Sequence, residues 1–306
     1  MTSSIEKRLL GKTGIEMTCM GFGCASVWGK NLISDEQAQT IFEQAYELGI
    51  RYFDTGYSYG CAEERIGKIL RTSKIVKRED IIISTKFGTK NVNGKYIHDF
   101  TPKWMNHSVR TSLKRMGIDY VDLLLVHGPQ VKDLTDEYLS AMRKLKEKRL
   151  VKAIGINTFD TDVIDYVCET KCFDFVMLDY NILKQERENV IERLYQNGIG
   201  VIAGAPLAES LYSNRIFKIR KPKDIWYLAR AFANFRGQLI KGRRFVFVNK
   251  VPGMTGSQIA LNYVISNPHV TTAVFGTTTP NHLADNVKAK DIVIPKEVLK
   301  RIKSIN

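Results

Sequence analysis

At 306 residues the chain is long enough for two average domains or for one α/β barrel of roughly 250 residues with additions. Its composition, 44% hydrophobic and 25% charged, is that of a globular protein, and no stretch approaches the ~18 uninterrupted apolar residues of a membrane span. The net charge of +14 raises nucleic acid as a partner, but eleven Lys/Arg against the single acid Asp224 lie between Arg215 and Lys250, a local block that suits a phosphorylated ligand, a partner surface or a solvated face better than a duplex footprint.

The opening MTSSIEKRLL lacks the apolar core of a secretory signal, and Cys19, Cys24, Cys61, Cys168 and Cys172 form no paired framework, so a reducing cytoplasm is expected. Cys168 and Cys172 read as packing residues, and no metal is expected. Leu9–Gly23 reads as a small hairpin with glycine-bearing turns, running into a short strand at Met20–Cys24. From there the pattern alternates. A helix over Asp35–Leu48, with Ser34 as N-cap, precedes the strand Tyr52–Phe53; a helix over Glu63–Leu70 precedes the strand Ile81–Lys86. A glycine-rich loop from Phe87 to Phe100 leads to a helix ending at Met116 and to the strand Val121–Val126.

Helix Asp136–Lys148 then precedes strand Ala153–Ile156, helix Asp162–Glu169 precedes strand Phe173–Leu178, and helix Glu186–Asn197 precedes strand Val201–Ala203. Residues 208–255 form a long insertion after the seventh strand, with a helix expected over Asp224–Phe235. Helix Ser257–Ser266 and strand Thr272–Phe275 complete eight repeats. Strands that are apolar throughout have both faces covered, which implies a parallel sheet. Eight strand-helix repeats favour a single-domain (β/α)8 TIM barrel over residues 1–306, with an N-terminal β-hairpin, rather than a doubly wound sheet. Gly21-Phe22-Gly23 is only a fragment of a dinucleotide fingerprint.

Barrel enzymes carry their chemistry at the C-terminal ends of strands. Strand two ends in Asp54 with Tyr59 in its loop, strand three in Lys86 and strand four in His127. Neighbouring strands stand about 4.8 Å apart, so the four groups can converge. An ammonium beside a phenol favours phenolate, so Lys86 is expected to lower the pKa of Tyr59, with Asp54 orienting Lys86 and His127 bonding a substrate oxygen. That makes Tyr59 a proton donor for carbonyl reduction, and the hydride calls for a nicotinamide cofactor. Two other readings remain open: a lyase or aldolase with a Schiff base on Lys86, and a non-catalytic, cofactor-sensing barrel that binds an acidic partner.

FDTGYSYGCAEE, ISTK, DLLLVHGP, AIGINTF, APLAES and FGTTTPNHLADN resemble the aldo-keto reductase family over nearly the whole chain, and RLLGKTGIEMTCMGFG and LNYVISNP look most like its galactose and threo-aldose dehydrogenases. The resemblance implies Asp54, Tyr59, Lys86 and His127 as the catalytic tetrad. It also implies cofactor contacts at Gly23, Cys24, Asn157, Thr158, Met177, Ala205, Pro206, Leu207, Gly276, Thr277, His282 and Asn286. Asn157-Thr158 replaces the family's Ser-Asn pair, Met177 its glutamine, Gly204 its stacking tyrosine, and Gly276 and His282 the cations that clamp a 2′-phosphate. NADP(H) is slightly favoured, with NAD(H) left open. Trp28 and Tyr57 are expected in a pocket for a small carbonyl or sugar; nucleic acid and membrane are not expected partners, and substrate, direction and oligomeric state stay open.

Overall fold

The computed structural model describes residues 4–30, 32–92, 95–213 and 237–305. The hairpin pairs Lys7–Leu9 (β1) with Glu16–Thr18 (β2). The barrel strands are Met20–Gly23 (β3), Tyr52–Asp54 (β4) and Ile82–Phe87 (β5) and, beyond a second hairpin of Thr89–Val92 (β6) and Lys95–His98 (β7), Val121–His127 (β8), Val151–Asn157 (β9), Phe175–Asp179 (β10), Gly200–Gly204 (β11) and Thr272–Phe275 (β12). They close in the order β10-β11-β12-β3-β4-β5-β8-β9, every neighbour parallel, which is the expected (β/α)8 barrel.

Around it lie Asp35–Glu47 (α1), Ala62–Thr72 (α2), Pro102–Met116 (α3), Asp136–Glu147 (α4), Thr161–Thr170 (α5), Arg187–Gln196 (α6), helical residues 237–243 (α7), Gly256–Ile265 (α8), Pro280–Val287 (α9) and Lys296–Lys303 (α10). Local chemistry sets several boundaries. Ser34 and Gln37 form a capping box at α1, and Thr255 and Gln258 form another at α8. Thr101 caps α3 ahead of Pro102, and Gly117 ends that helix in the left-handed conformation.

Two apolar layers follow from strand alternation. One packs the outer strand faces against the helices. The other fills the lumen with Tyr52, Leu123, Leu125, Phe175, Met177 and Ile202, joined by Leu10 and Met17 of the N-terminal hairpin region. The lumen rings take space that glycines leave: a Cβ at Gly155 would stand 2.4 Å from the Phe175 ring, and one at Gly21 would stand 2.5 Å from Tyr52.

Two expectations change here. The segment after β5 is not simply a loop, because β6 and β7 pair antiparallel in it, with Lys90 bonded to Asp99 at its base. Asn93-Gly94 is a strong two-residue hairpin signal in the sequence and had been read only as glycine-rich. The helix expected over Asp224–Phe235 falls outside the described residues, as does most of the basic block.

Candidate active site

The register β3-β4-β5-β8-β9 brings Gly23 beside Asp54, Asp54 beside Ser84, Lys86 beside Leu125, and His127 beside Asn157. Asp54 and Lys86 point into the barrel mouth at 5% and 2% exposure. The Lys86 ammonium donates to both Asp54 carboxylate oxygens and to the Thr55 carbonyl at 2.9 Å. Ser84 donates to Asp54 at 2.7 Å, and because that uses its only proton, Tyr52 in turn donates to Ser84 at 2.9 Å. Asp54 is thus held from two sides, and each of its partners is itself bonded.

Tyr59 lies over this pair, with its ring centre 4.9 Å from the Lys86 ammonium and its plane nearly perpendicular to that of His127 at 6.2 Å. Two glycine contacts fix the loop that carries it. At Gly56, a Cβ would be only 3.3 Å from the Tyr59 ring, so the missing side chain lets the phenol fold back toward Lys86. At Gly60, a Cβ would stand 2.0 Å from the Gly29 carbonyl, and one at Gly29 would stand 1.8 Å from the Tyr59 carbonyl. The loop after β3 therefore abuts Tyr59 backbone to backbone, and Cys61 donates its N–H to Gly29 at 3.0 Å. Arg65 anchors that first loop by bonding the carbonyls of Trp28, Lys30 and Ile33.

Burial pushes the Tyr59 phenol above its ordinary pKa of 10; Lys86 pulls it down but does not win, and Asp54 adds to the rise. Lys86 lowers the pKa as expected, but the net direction is upward, because enclosing the phenol costs its anion more than the ammonium returns. Burial also works against the charge on Lys86, but Asp54, and after it Tyr59, outweigh burial and raise its pKa. Burial, then Lys86 and His98, bring His127 down to about 4, which leaves a neutral imidazole at neutral pH.

A cavity of about 620 Å³ opens above these groups, walled by Asp54, Tyr59 and Lys86 and by the C-terminal ends of β3, β9, β10, β11 and β12. Of the cofactor residues expected from sequence, Gly23, Asn157, Met177, Ala205, Pro206, Leu207, Gly276, Thr277 and His282 stand in its walls, as does Trp28. Cys24, Thr158 and Asn286 are buried outside the walls. Tyr57 is also outside them, packed edge-on against Trp104 at 5.2 Å, and His127 lies half-buried beside Tyr59. Val27, Phe159, Glu209, Thr278 and Thr279 line the cavity without having been singled out; each is within four residues of a position that had been, which was the available signal.

A larger cavity of about 920 Å³ lies at the opposite end of the barrel, beside Lys7, Arg51 and Asp122. The Asp122 carboxylate there is committed to Arg78, Lys152 and the Ile83 N–H, so that end reads as structural. Among the described residues there is no group of three or more His, Cys, Asp or Glu placed to hold a metal ion. No described helix is long and apolar enough to cross a membrane.

Residues 19–306 match the profile of the Aldo/keto reductase family. L-galactose dehydrogenase of Arabidopsis thaliana is 27% identical, over 99% of this chain and 95% of its own length. D-threo-aldose 1-dehydrogenase of a Pseudomonas species is 28% identical, over 69% of this chain and 70% of its own. Among solved structures, the holo form of the aldo-keto reductase AKR11C1 from Bacillus halodurans superposes with a TM-score of 0.82 at 26% identity, covering 98% of this chain and 96% of that one.

Proposed function

The chain belongs to the aldo/keto reductase family, and from that premise we propose that it interconverts an aldehyde, ketone or sugar carbonyl with its alcohol, with Tyr59 as the acid and base. Family membership itself carries nicotinamide-dependent carbonyl reduction. The observation that supports the finer reading is the buried Asp54–Lys86 pair beneath the Tyr59 ring at the floor of the cavity.

A nicotinamide nucleotide fits these walls and supplies the hydride when bound. Gly23, Gly204 and Gly276 leave strand ends without side chains along the cavity. Asn157 donates to the Met177 carbonyl, which leaves its amide oxygen able to accept from a carboxamide. Thr279 makes no side-chain cap, so amides in the first turn of α9, with the hydroxyls of Thr277 and Thr278 beside them, would hold phosphate oxygens.

Tyr59 gives its proton to the carbonyl oxygen as the carbonyl carbon takes the hydride, and recovers it in the reverse direction. Burial holds the phenol in its proton-bearing form through neutrality, the form that reduction requires. Lys86 stabilises the phenolate left after transfer, and neutral His127 donates a hydrogen bond to the same substrate oxygen. A Schiff base on Lys86 is disfavoured, since its ammonium is committed to Asp54 and the Thr55 carbonyl and its pKa is raised.

The similarity to L-galactose and D-threo-aldose dehydrogenases supports small sugars as the substrate class. Lys86 is the only Lys or Arg among the described walls, which supports NAD(H) as well as NADP(H). In the test, Tyr59→Phe should lose at least about 100-fold in turnover of a reducible sugar or aldehyde while fluorescence titration with NADPH or NADH is unchanged. Retained turnover would refute the assignment.

A further inference from the structure

We infer that Arg115, paired with the buried Glu63, is a positioning residue that holds the Tyr57–Tyr59 loop in its reactive place. The inference rests on the reading of Tyr59 as the proton donor. Thr85 and Lys86 are neighbours on β5, and alternation sends their side chains to opposite faces. Lys86 enters the barrel mouth, while Thr85 donates to Glu63 of α2 at 2.6 Å. Glu63 is fully buried, and its other carboxylate oxygen accepts from Arg115 of α3 at 3.0 Å. Arg115 also bonds Glu64 at 3.0 Å and donates to the Tyr57 carbonyl at 3.1 Å, with its guanidinium 4.5 Å from the Tyr57 ring centre.

These contacts grip one residue, Tyr57, from both sides of its backbone. The Tyr57 N–H donates to the Lys86 carbonyl at 3.0 Å, and the Tyr57 carbonyl accepts from Arg115. Tyr59 follows two residues later, its own N–H closing a turn on the Gly56 carbonyl at 2.9 Å. The same strand thus carries Lys86 on one face and, on the other, the hydroxyl that fixes the carboxylate holding Arg115. Tyr59 and Lys86 are set relative to each other by a frame that neither of their side chains touches. The frame continues outward, since Tyr57 meets Trp104 at 5.2 Å and Lys90 of β6 lies 4.9 Å from the Trp104 ring centre, which ties the β6–β7 hairpin to the same loop.

A guanidinium is suited to this post because its planar fork serves a carboxylate, a carbonyl and an aromatic face at once, whereas an ammonium gathers its three donors on one atom and has no flat face to lay on the ring. A displacement of about 1 Å in a reacting group can cost about 100-fold in rate. Arg115→Met is therefore expected to lower kcat about 10- to 100-fold, leave the nucleotide Kd within about twofold, and raise amide hydrogen exchange in residues 55–64 but not in α6. Arg115→Lys, which keeps the charge beside Glu63, should recover part of the rate and serves if the methionine variant does not fold.

The combined Tyr59→Phe/Arg115→Met variant should be no more than about twofold slower than Tyr59→Phe alone, because the arginine acts through the tyrosine. Additive losses, or kcat and exchange both unchanged in Arg115→Met, would overturn the inference. Should Tyr59→Phe itself keep wild-type turnover while exchange rises in Arg115→Met, the proton-donor reading falls and the positioning of the loop stands.

Discussion

Gly60 lies so close to Gly29 that a Cβ on it would stand 2.0 Å from the Gly29 carbonyl oxygen, and its φ of +63° is one that L side chains rarely adopt. Gly60→Ala must therefore part the two loops that meet beside Tyr59. The expected cost is about 1–3 kcal/mol of stability, read as a urea midpoint, from the combined overpacking and left-handed backbone. Turnover should fall by about 10- to 100-fold as the tyrosine moves, with nucleotide affinity much less affected.

The Asp54–Lys86 pair makes a second test. Removing one partner from a buried pair strands the other charge, so Asp54→Asn or Lys86→Met should each destabilise by about 3–5 kcal/mol in chemical denaturation. The double variant should cost clearly less than the sum of the two, because neither charge is then left without its partner.

His127 makes stability depend on pH. Its folded pKa is about 4 against an ordinary 6.5, so between those values the unfolded chain binds a proton that the folded chain does not. Stability should accordingly fall as pH drops from 6.5 toward 4. His127→Asn should flatten that part of the profile, measured as the difference in thermal midpoint between neutral and acidic buffer.

His282 tests the choice of nucleotide. It stands in the cavity wall beside Thr277, Thr278 and Thr279. A fixed guanidinium there would offer a charge-assisted bond to a 2′-phosphate, so His282→Arg should tighten NADPH by about tenfold and leave NADH nearly unchanged in parallel titrations.

The barrel was legible because each strand is a continuous apolar run at a regular interval, and the placement of Asp54, Tyr59, Lys86 and His127 because each closes or follows one of those runs. The hairpin of β6 and β7 was missed because its residues are largely exposed and carry no apolar run, leaving only the Asn-Gly turn as a signal. The direction of the Tyr59 shift was beyond the sequence for another reason. Spacing told that an ammonium would stand near the phenol, but not how completely the fold would enclose the ring, and enclosure is the larger effect. Tyr57 illustrates the same limit: an aromatic two residues from the proton donor looked like a pocket wall, yet it is turned onto Arg115 and Trp104.

Asp54, Tyr59, Lys86 and His127 all come from one arc of the barrel, β4, β5 and β8, whereas β9 to β12 contribute only walls. The proposed chemistry thus comes from the first half of the chain, whereas most of the cavity wall comes from the second, with Gly23, Val27 and Trp28 added from the first. On the proposed roles, substitutions in the walls after residue 150 should change which nucleotide is held and leave Tyr59, Lys86 and Asp54 as they are. In the first half the constraint falls on the ends of β4, β5 and β8 and on the loop that carries Tyr59, where a change bears on the proposed proton transfer.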